Sequence, residues 1–428
     1  MNSSGYPHMA ASVKGHPSYP HLAASQEPGY PGALSSGLAG GVGGPAYAPL
    51  RAIHVGPCLV RGGAEQWLLD LHRFLDPARV RLQRAVVTKP DAVDPAFVAG
   101  LDVPIETGQA ETVRRAAKEC DVLLCWGVEL NDWLEGCRPP LCVYVAHGEG
   151  DWTREQLRQS DRVVDHVVAV SRAVRQRTCD GLPTSVIFNG VDSARLARSR
   201  SRRAVREALG FQPSDFVVGY VGRFSPEKRA HVVIDAVSLL PTHFKALLVG
   251  WGAQRLALLE AANERIAGRY AFATAWDYLG DYYQAMDAVC LVSDQEGFPL
   301  VMVEAMMCGR PLIATPVGGM PEVIQDRVNA VLVPGDATSL AAAAEMLWRN
   351  PEWARGIAAA GQAFAEEHGH ARRMAREYED LLHRLWRDKN GNGHANGNGN
   401  GLASRQVFAG QDHPRAVADG QRQMLYQA

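Results

Sequence analysis

Short β-branched runs that alternate with amphipathic stretches fill most of this 428-residue sequence. The first series lies between residues 51 and 190 and consists of AIHVG, RAVVT, VLLCWG, CVYVAHG, HVVAVS and VIFNG. The second series begins near residue 216 and consists of FVVGYVG, KALLVG, AVCLVS, LIATP and AVLVPG. Such alternation is typical of a doubly wound parallel sheet. Because the pattern occurs twice in a chain too long for one ordinary core, we predict two α/β domains.

The composition divides the chain further. The first 50 residues are dominated by Gly, Pro, Ala, Ser, Tyr and His and show no periodicity, which is typical of a disordered arm. An Arg-rich segment after Gly190 indicates the boundary between the domains. We therefore predict a disordered arm over 1–50, a first domain over 51–190, a second domain over 191–365, a final helix over 366–388 and an Asn/Gly-rich flexible tail over 389–428.

Charge and cysteine content exclude several classes of protein. A formal net charge of −2 creates no global field that would attract nucleic acid. The cysteines do not form a close metal-binding pattern, so we expect reduced core thiols. No apolar run is long enough to span a membrane, and the first residues lack the pattern of a secretory signal. We expect a cytoplasmic protein without a nucleic-acid partner, and we leave open a peripheral contact at the inner membrane face.

One strand leads directly into an unusually apolar helix. The strand is predicted over 288–292, and Pro299 suits the first helical position, where its missing N–H costs nothing. The helix is predicted to stop at Gly309, and Glu304 is the only charged residue between Gly297 and Gly309. A buried carboxylate is costly unless something donates hydrogen bonds to it. The sequence therefore predicts a polar partner beside Glu304.

The flanking residues favour a ligand as that partner. Glu296 lies in the loop at the carboxyl end of the strand, where open α/β sheets bind ligands. Helical side chains lean toward the N-terminus, so Glu304 can face the same crevice. Free amides at the helix start suit an anion such as a diphosphate. Carboxylates can bind sugar hydroxyls and backbone amides can bind phosphates, so their proximity predicts a nucleotide-sugar site. A capped helix with an internal salt bridge is the alternative.

These residues resemble the paired-glutamate signature of retaining glycosyltransferases of family four, which have the GT-B architecture of two Rossmann-like doubly wound domains facing across a cleft. The residues that carry the resemblance are Glu296, Gly297, Phe298, Pro299, Glu304, Ala305, Met306, Gly309, Pro311, Gly318 and Gly319. Similar segments extend from about Gly56 to about Gly335. The resemblance implies that the final helix returns to the first domain.

The same resemblance implies roles for individual residues of this segment. Glu296 would contact the donor sugar, and Glu304 would hold the ribose hydroxyls. The backbone amides around Phe298, Leu300 and Val301 would meet the donor diphosphate, and Gly297 would also belong to the donor site.

Two cations follow the first strand of the second series. Ser225 is a suitable N-cap and Pro226 a suitable first helical residue, which would place Lys228 in the first turn. A cation is disfavoured at the positive end of a helix, so its presence suggests a bound anion. The resemblance implies that Arg223 and Lys228 grip the donor diphosphate. A solvated basic loop is the alternative.

Three further residues follow strands of the first series. Gly62 and Gly63 would let the backbone approach a ligand, although a tight loop also needs glycine. His147 ends the run LCVYVA and could equally be structural. In the resembling family the Gly-Gly loop faces the donor phosphates and the acceptor, and the histidine meets the donor sugar.

The predicted function is transfer of a sugar, with retention, from a nucleoside diphosphate to the hydroxyl of a saccharide, a lipid-linked sugar or a small molecule, as in polysaccharide, glycolipid or glycoconjugate synthesis. Glu296, His147, Arg223 and Lys228 are the predicted catalytic residues. We expect neither a cofactor nor a metal, since the chain has no Asp-x-Asp motif. A sugar-nucleotide epimerase, a phosphorylase and a catalytically silent scaffold that binds a nucleotide sugar or a protein partner remain alternatives.

Overall fold

The computed structural model describes residues 48–274 and 278–391. The predicted N-terminal arm lies outside the described residues except for its last three positions, and the predicted tail lies outside them beyond residue 391. Within the described residues, no helix has the length and hydropathy needed to cross a bilayer.

The first sheet has seven described strands, all parallel, in the order β3-β2-β1-β4-β5-β6-β7. The strands are β1 (Leu50–Gly56), β2 (Val80–Val87), β3 (Ile105–Thr107), β4 (Val122–Cys125), β5 (Leu141–Ala146), β6 (His166–Ala169) and β7 (Thr184–Val186). The helices between them are α1 (Gly63–Phe74), α2 (Pro95–Val98), α3 (Ala110–Glu119), α4 (Asp151–Arg158) and α5 (Arg172–Thr178). The order reverses between β1 and β4, which opens a crevice at the carboxyl edge.

The second sheet has six described strands, again parallel, in the order β10-β9-β8-β11-β12-β13. The strands are β8 (Phe216–Arg223), β9 (Phe244–Trp251), β10 (Tyr270–Ala273), β11 (Ala288–Leu291), β12 (Leu312–Ala314) and β13 (Val331–Leu332). The remaining helices are α6 (Arg202–Ala208), α7 (His231–Ser238), α8 (Arg255–Arg265), α9 (Leu279–Ala285), α10 (Leu300–Met307), α11 (Ala337–Arg349), α12 (Pro351–His368) and α13 (Ala371–Gly391). The predicted pair of doubly wound parallel sheets is therefore confirmed.

Two predicted elements differ from the structure. The run VIFNG was expected to be a strand, but β7 covers Thr184–Val186 and ends where that run begins. The final helix was predicted to start at residue 366, whereas α12 continues to His368 and α13 starts at Ala371. The break occurs because Val191 bonds to both sides of it, donating to the carbonyl of Gly369 at 2.8 Å and accepting from the amide of Ala371 at 3.0 Å. The domain limits stay a prediction.

Helix α13 packs against the first sheet and its helix α1. Its buried residues recur every three or four positions, as an amphipathic helix requires, and are Ala371, Met374, Ala375, Tyr378, Leu381 and Leu382. Beside this face, the buried carboxylate of Glu379 accepts hydrogen bonds from the Asp76 amide at 2.6 Å and from Arg79 at 2.9 Å. A helix that follows the second sheet in sequence is thereby held on the first.

A buried ion-pair group joins the two sheets. Arg195, in the 3₁₀ turn Ser193–Leu196, donates through Nη1 to Asp70 on α1 at 3.1 Å and through Nη2 to Glu304 on α10 at 2.7 Å. Tyr283 on α9 donates its hydroxyl to the other oxygen of Glu304 at 2.7 Å. Both carboxylate side chains are only 3 % exposed, whereas that of Arg195 is 25 % exposed. We call Asp70, Arg195, Tyr283 and Glu304 the Arg195 cluster.

Replacing Arg195 by methionine should destabilise the protein strongly. The substitution keeps the aliphatic length but leaves two buried carboxylates without their cation, which costs about 3 kcal/mol. Urea unfolding of Arg195→Met measures the loss. The control is Arg203→Met, because Arg203 pairs with Glu207 on an exposed helix surface. We expect the control to change the unfolding free energy by less than about 1 kcal/mol. Equal losses in the two variants would contradict a special role for Arg195.

Asp70 should make stability depend on pH. Burial raises the pKa of this carboxyl to about 6, against the opposing effects of Arg195 and the Gln66 amide, while nearby Asp192 and Glu304 raise it further. A carboxyl with an ordinary pKa of about 3.9 in the unfolded chain binds its proton more tightly when folded, so this stabilisation is lost as pH rises through about 6. Between about pH 4.5 and about pH 7.5, the unfolding free energy of the wild type should fall relative to Asp70→Asn by about 2 kcal/mol. Parallel pH profiles of the two proteins would refute this assignment.

Candidate active site

The carboxyl edges of both sheets carry the residues that the sequence singled out. In the second sheet, Arg223 ends β8 and Glu296 follows β11, and these are the strands between which the order reverses. In the first sheet, Gly62 and Gly63 follow β1, and His147 follows β5. Ligands of open α/β sheets bind in the crevice at this edge, so the placement suits a ligand site.

Glu296 and Lys228 form the central charged contact of the site. The Lys228 ammonium donates to Oε1 of Glu296 at 2.6 Å, and the Ser293 hydroxyl donates to the same oxygen at 2.7 Å. Glu296 is 9 % exposed, so its carboxylate needs such donors. The sequence pattern did not single out Ser293, although its place at the end of the β11 run was the available signal.

The loop that carries Glu296 packs closely against the loop that carries His147, because glycines leave no side chain between them. A Cβ on Gly297 would overlap the carbonyl oxygen of His147, and a Cβ on Gly318 would overlap the carbonyl oxygen of Glu296. Gly318 also has a φ of +58°, which disfavours other residues. The structure thus brings together three predicted residues, Glu296, Gly297 and His147.

The ring of His147 lies between two tryptophans. It contacts Trp67 edge to face with centroids 4.9 Å apart, and Trp126 in the same manner at 5.6 Å. Its Nε2 is buried and has no hydrogen-bond partner among the described residues. Burial lowers the pKa of His147 to about 3, and neighbouring His54 acts in the same direction. The imidazole is therefore neutral at physiological pH.

The turn that carries Lys228 differs from the prediction. Residues Pro226–Lys228 form a short 3₁₀ turn rather than the start of a helix, and α7 begins only at His231. Arg229 follows with a φ of +52°, which interrupts helical geometry. Ser225 lies at the N-cap position and Pro226 opens the turn as predicted, but the Ser225 hydroxyl makes no capping hydrogen bond and donates instead to the side chain of Glu227 at 2.6 Å. Lys228 nevertheless reaches the Glu296 carboxylate.

Arg223 faces the first sheet. Its side chain is 56 % exposed and approaches Glu227 at 3.3 Å. Burial raises the pKa of Glu65, in the first turn of α1, while the Arg223 guanidinium acts against that rise. The Glu65 carboxylate folds over Gly62 and would overlap a Cβ there, whereas no described atom lies within 4 Å of a Cβ placed on Gly63. Glu65 is a second residue that the sequence pattern did not single out, despite its position next to the glycine pair.

Helix α10 begins one residue later than predicted. Pro299 is the N-cap in extended conformation, and Leu300 is the first helical residue. Two residues of the first series of elements hold Phe298 in place. Its ring stacks on Phe188 with centroids 4.8 Å apart, and its carbonyl oxygen accepts a hydrogen bond from the side chain of Asn189 at 3.0 Å. The amides that open a helix have no acceptor within it. The first turn, with Leu300 and Val301, thus offers donors to an anion, and the diphosphate contact stays a prediction.

Glu304 lies in different surroundings from Glu296. Both of its carboxylate oxygens accept hydrogen bonds within the Arg195 cluster, and its side chain is almost fully buried. The two glutamates share no hydrogen-bond partner among the described residues. The predicted contact of Glu304 with ribose hydroxyls stays a prediction.

Metal-ligating residues do not cluster in the described part of the chain. Within residues 48–274 and 278–391, no group of three His, Cys, Asp or Glu side chains could hold a metal ion.

Comparison with known proteins identifies related sequences. Residues 215–350 match the family model described as Glycosyl transferases group 1. N-acetyl-alpha-D-glucosaminyl L-malate synthase of Bacillus anthracis is 30% identical over 236 residues, which are 53% of this chain and 62% of that protein. D-inositol 3-phosphate glycosyltransferase of Mycobacterium marinum is 33% identical over 226 residues, which are 51% of this chain and 47% of that protein. The chain thus spans between 47% and 62% of the length of these two relatives.

Solved structures share the architecture. Anabaena HepE in complex with UDP-glucose superposes with a TM-score of 0.68 at 26% identity, over 78% of this chain and 100% of that one. Sucrose-phosphate synthase of Thermosynechococcus elongatus, at 21% identity and a TM-score of 0.66, shares the fold over 79% of this chain and 100% of its own. Residues 215–350 are therefore similar to the group 1 glycosyl transferases, and the chain has the GT-B architecture.

Proposed function

We propose that the chain is a retaining glycosyltransferase that moves a sugar from a nucleoside diphosphate to an acceptor hydroxyl. The contact between Lys228 and Glu296 at the carboxyl edge of the second sheet supports this most directly. In this contact a cation that would suit phosphate meets a carboxylate that would suit sugar hydroxyls, next to the opening turn of α10. HepE was solved with UDP-glucose, so UDP-glucose is the first donor to test.

In the proposed reaction, the bond between the anomeric carbon and the diphosphate oxygen breaks. The acceptor oxygen then bonds to the same face of that carbon, and the acceptor proton leaves on the departing diphosphate. Arg223, Lys228 and the first amides of α10 stabilise the negative charge that develops on the leaving group. A bound diphosphate would draw Lys228 away from Glu296, which frees the carboxylate to accept from the donor sugar. Because these groups supply positive charge, we expect turnover to persist in EDTA.

Replacing Glu296 by glutamine should abolish most of the transfer. The substitution keeps the size of the side chain but removes the charge that orients the sugar, and the loss of one such interaction typically lowers kcat about 100-fold. Release of UDP from a panel of UDP-sugars, followed by product analysis, measures the effect. The control is Glu352→Gln, because Glu352 is a highly exposed carboxylate on α12. Unchanged turnover in Glu296→Gln would reject the assignment, and a released epimer without a glycosylated product would favour the epimerase alternative.

His147 should not titrate during turnover near neutral pH. Because its folded pKa is about 3, the ring stays neutral down to well below pH 6. The pH profile of kcat/KM reports the ionisation of free-enzyme groups. Between about pH 5.5 and about pH 8, the wild-type profile should therefore superpose on that of His147→Asn after scaling for the lower rate of the variant. A limb near pH 6.5 that is present in the wild type and absent from the variant would contradict this expectation.

A further inference from the structure

The loop after β5 presents an exposed tryptophan. Trp152, in the first turn of α4, is 51 % exposed, whereas Trp67 and Trp126 of the same domain are buried. An isolated exposed apolar residue is common on protein surfaces and needs no function. The position of this indole and the groups around it nevertheless indicate a binding role.

The indole lies at the junction of the two loops that meet in the candidate active site. Its Cδ1 is 3.1 Å from the position that a Cβ on Gly150 would occupy, and its Cζ2 is 3.6 Å from the corresponding point on Gly148. The side-chain oxygen of Gln295, the residue before Glu296, is 3.7 Å from the same point on Gly150. The indole therefore rests on the glycine loop that follows His147 and lies beside the loop that carries Glu296.

Polar groups without partners accompany the indole. Thr153 is 1 % exposed, and its hydroxyl has no hydrogen-bond partner among the described residues. This hydroxyl lies 3.4 Å from the Cβ position of Gly148, on the side of the loop that the indole covers. Asp151 is exposed and forms no ion pair with any described residue. A buried hydroxyl left unpaired costs free energy, so a ligand that supplies a hydrogen bond there would be favoured.

The chemistry of these groups selects the ligand. An open aromatic face suits the apolar C–H face of a pyranose ring, while a carboxylate and a hydroxyl suit its hydroxyl groups. Asp151 would repel an anionic acceptor, whereas nearby Glu149 is already paired with Arg177 at 3.5 Å. We propose that the Trp152 surface, formed by Gly148, Gly150, Asp151, Trp152 and Thr153, is an acceptor subsite for a neutral saccharide. This inference rests on the proposed function and names the acceptor class of the same site.

The test separates acceptor binding from donor chemistry. Transfer from UDP-glucose, or from whichever nucleotide sugar the wild type consumes, is measured with methyl and nitrophenyl glycopyranosides as neutral acceptors and with phosphorylated and carboxylated sugars as anionic ones. Release of UDP to water without acceptor is measured in parallel. Trp152→Ala should raise the acceptor KM at least about tenfold while the donor KM and the hydrolysis rate stay within about twofold, and Trp152→Phe should fall between the alanine variant and the wild type. The matched control is Trp348→Ala, which removes a different exposed indole on α11 and should leave the acceptor KM unchanged.

Each outcome decides the inference. Unchanged acceptor KM in Trp152→Ala, with transfer still occurring, overturns the subsite and leaves the proposed function standing. Transfer only to phosphorylated or carboxylated acceptors also overturns it, because the subsite is assigned to neutral rings. Retained hydrolysis shows that Trp152→Ala is folded, so a raised acceptor KM in that variant supports the subsite. Failure of the wild type to release a nucleoside diphosphate from any UDP-, GDP-, ADP- or TDP-sugar overturns the proposed function and the subsite together.

Discussion

The partly buried guanidinium of Arg195 links a helix of the first sheet to a helix of the second. It contacts Asp70 on the first and Glu304 on the second, and Tyr283 completes the cluster. Two carboxylates removed from water would repel each other, and the shared cation offsets this repulsion. The apolar face of α13 is a second link between the sheets. This helix follows the second sheet in sequence but packs against the first.

Glycines then set how closely the facing loops approach. At Gly297 and Gly318 a side chain would overlap backbone carbonyl oxygens, so the loops that carry Glu296 and His147 meet through backbone atoms alone. This close approach places a charged contact, Lys228 with Glu296, beside a neutral imidazole. The charged contact suits a diphosphate and a sugar hydroxyl, and the neutral ring suits an uncharged sugar. In the proposed reaction the protein contributes position and preorganised charge rather than a nucleophile.

The donor half and the acceptor half of the proposed site use different chemistry. Arg223, Lys228 and the first turn of α10 offer positive charge, which matches a leaving diphosphate. The Trp152 surface offers an aromatic face, a carboxylate and an unpaired hydroxyl, which match a neutral ring. The two halves meet where Gln295 approaches the glycine loop. Such a division would let one architecture keep its donor chemistry while the loop after β5 selects the acceptor.

The sequence by itself determined the two parallel sheets, because strand and helix periodicities reflect local burial. Each strand or helix can therefore be recognised from its own segment of the sequence. It also indicated which loops carry polar residues, since the strand ends of parallel sheets lie at one edge. Short edge elements such as β3, with three residues, were too brief to be recognised. Only the tertiary structure decided the partners: Lys228 reaches Glu296 across 68 positions, and Arg195 reaches Glu304 across 109. Contacts between residues so far apart in sequence depend on how the sheets pack and on which buried charges must be neutralised. A local sequence pattern contains no information about the packing of the sheets or about these charges.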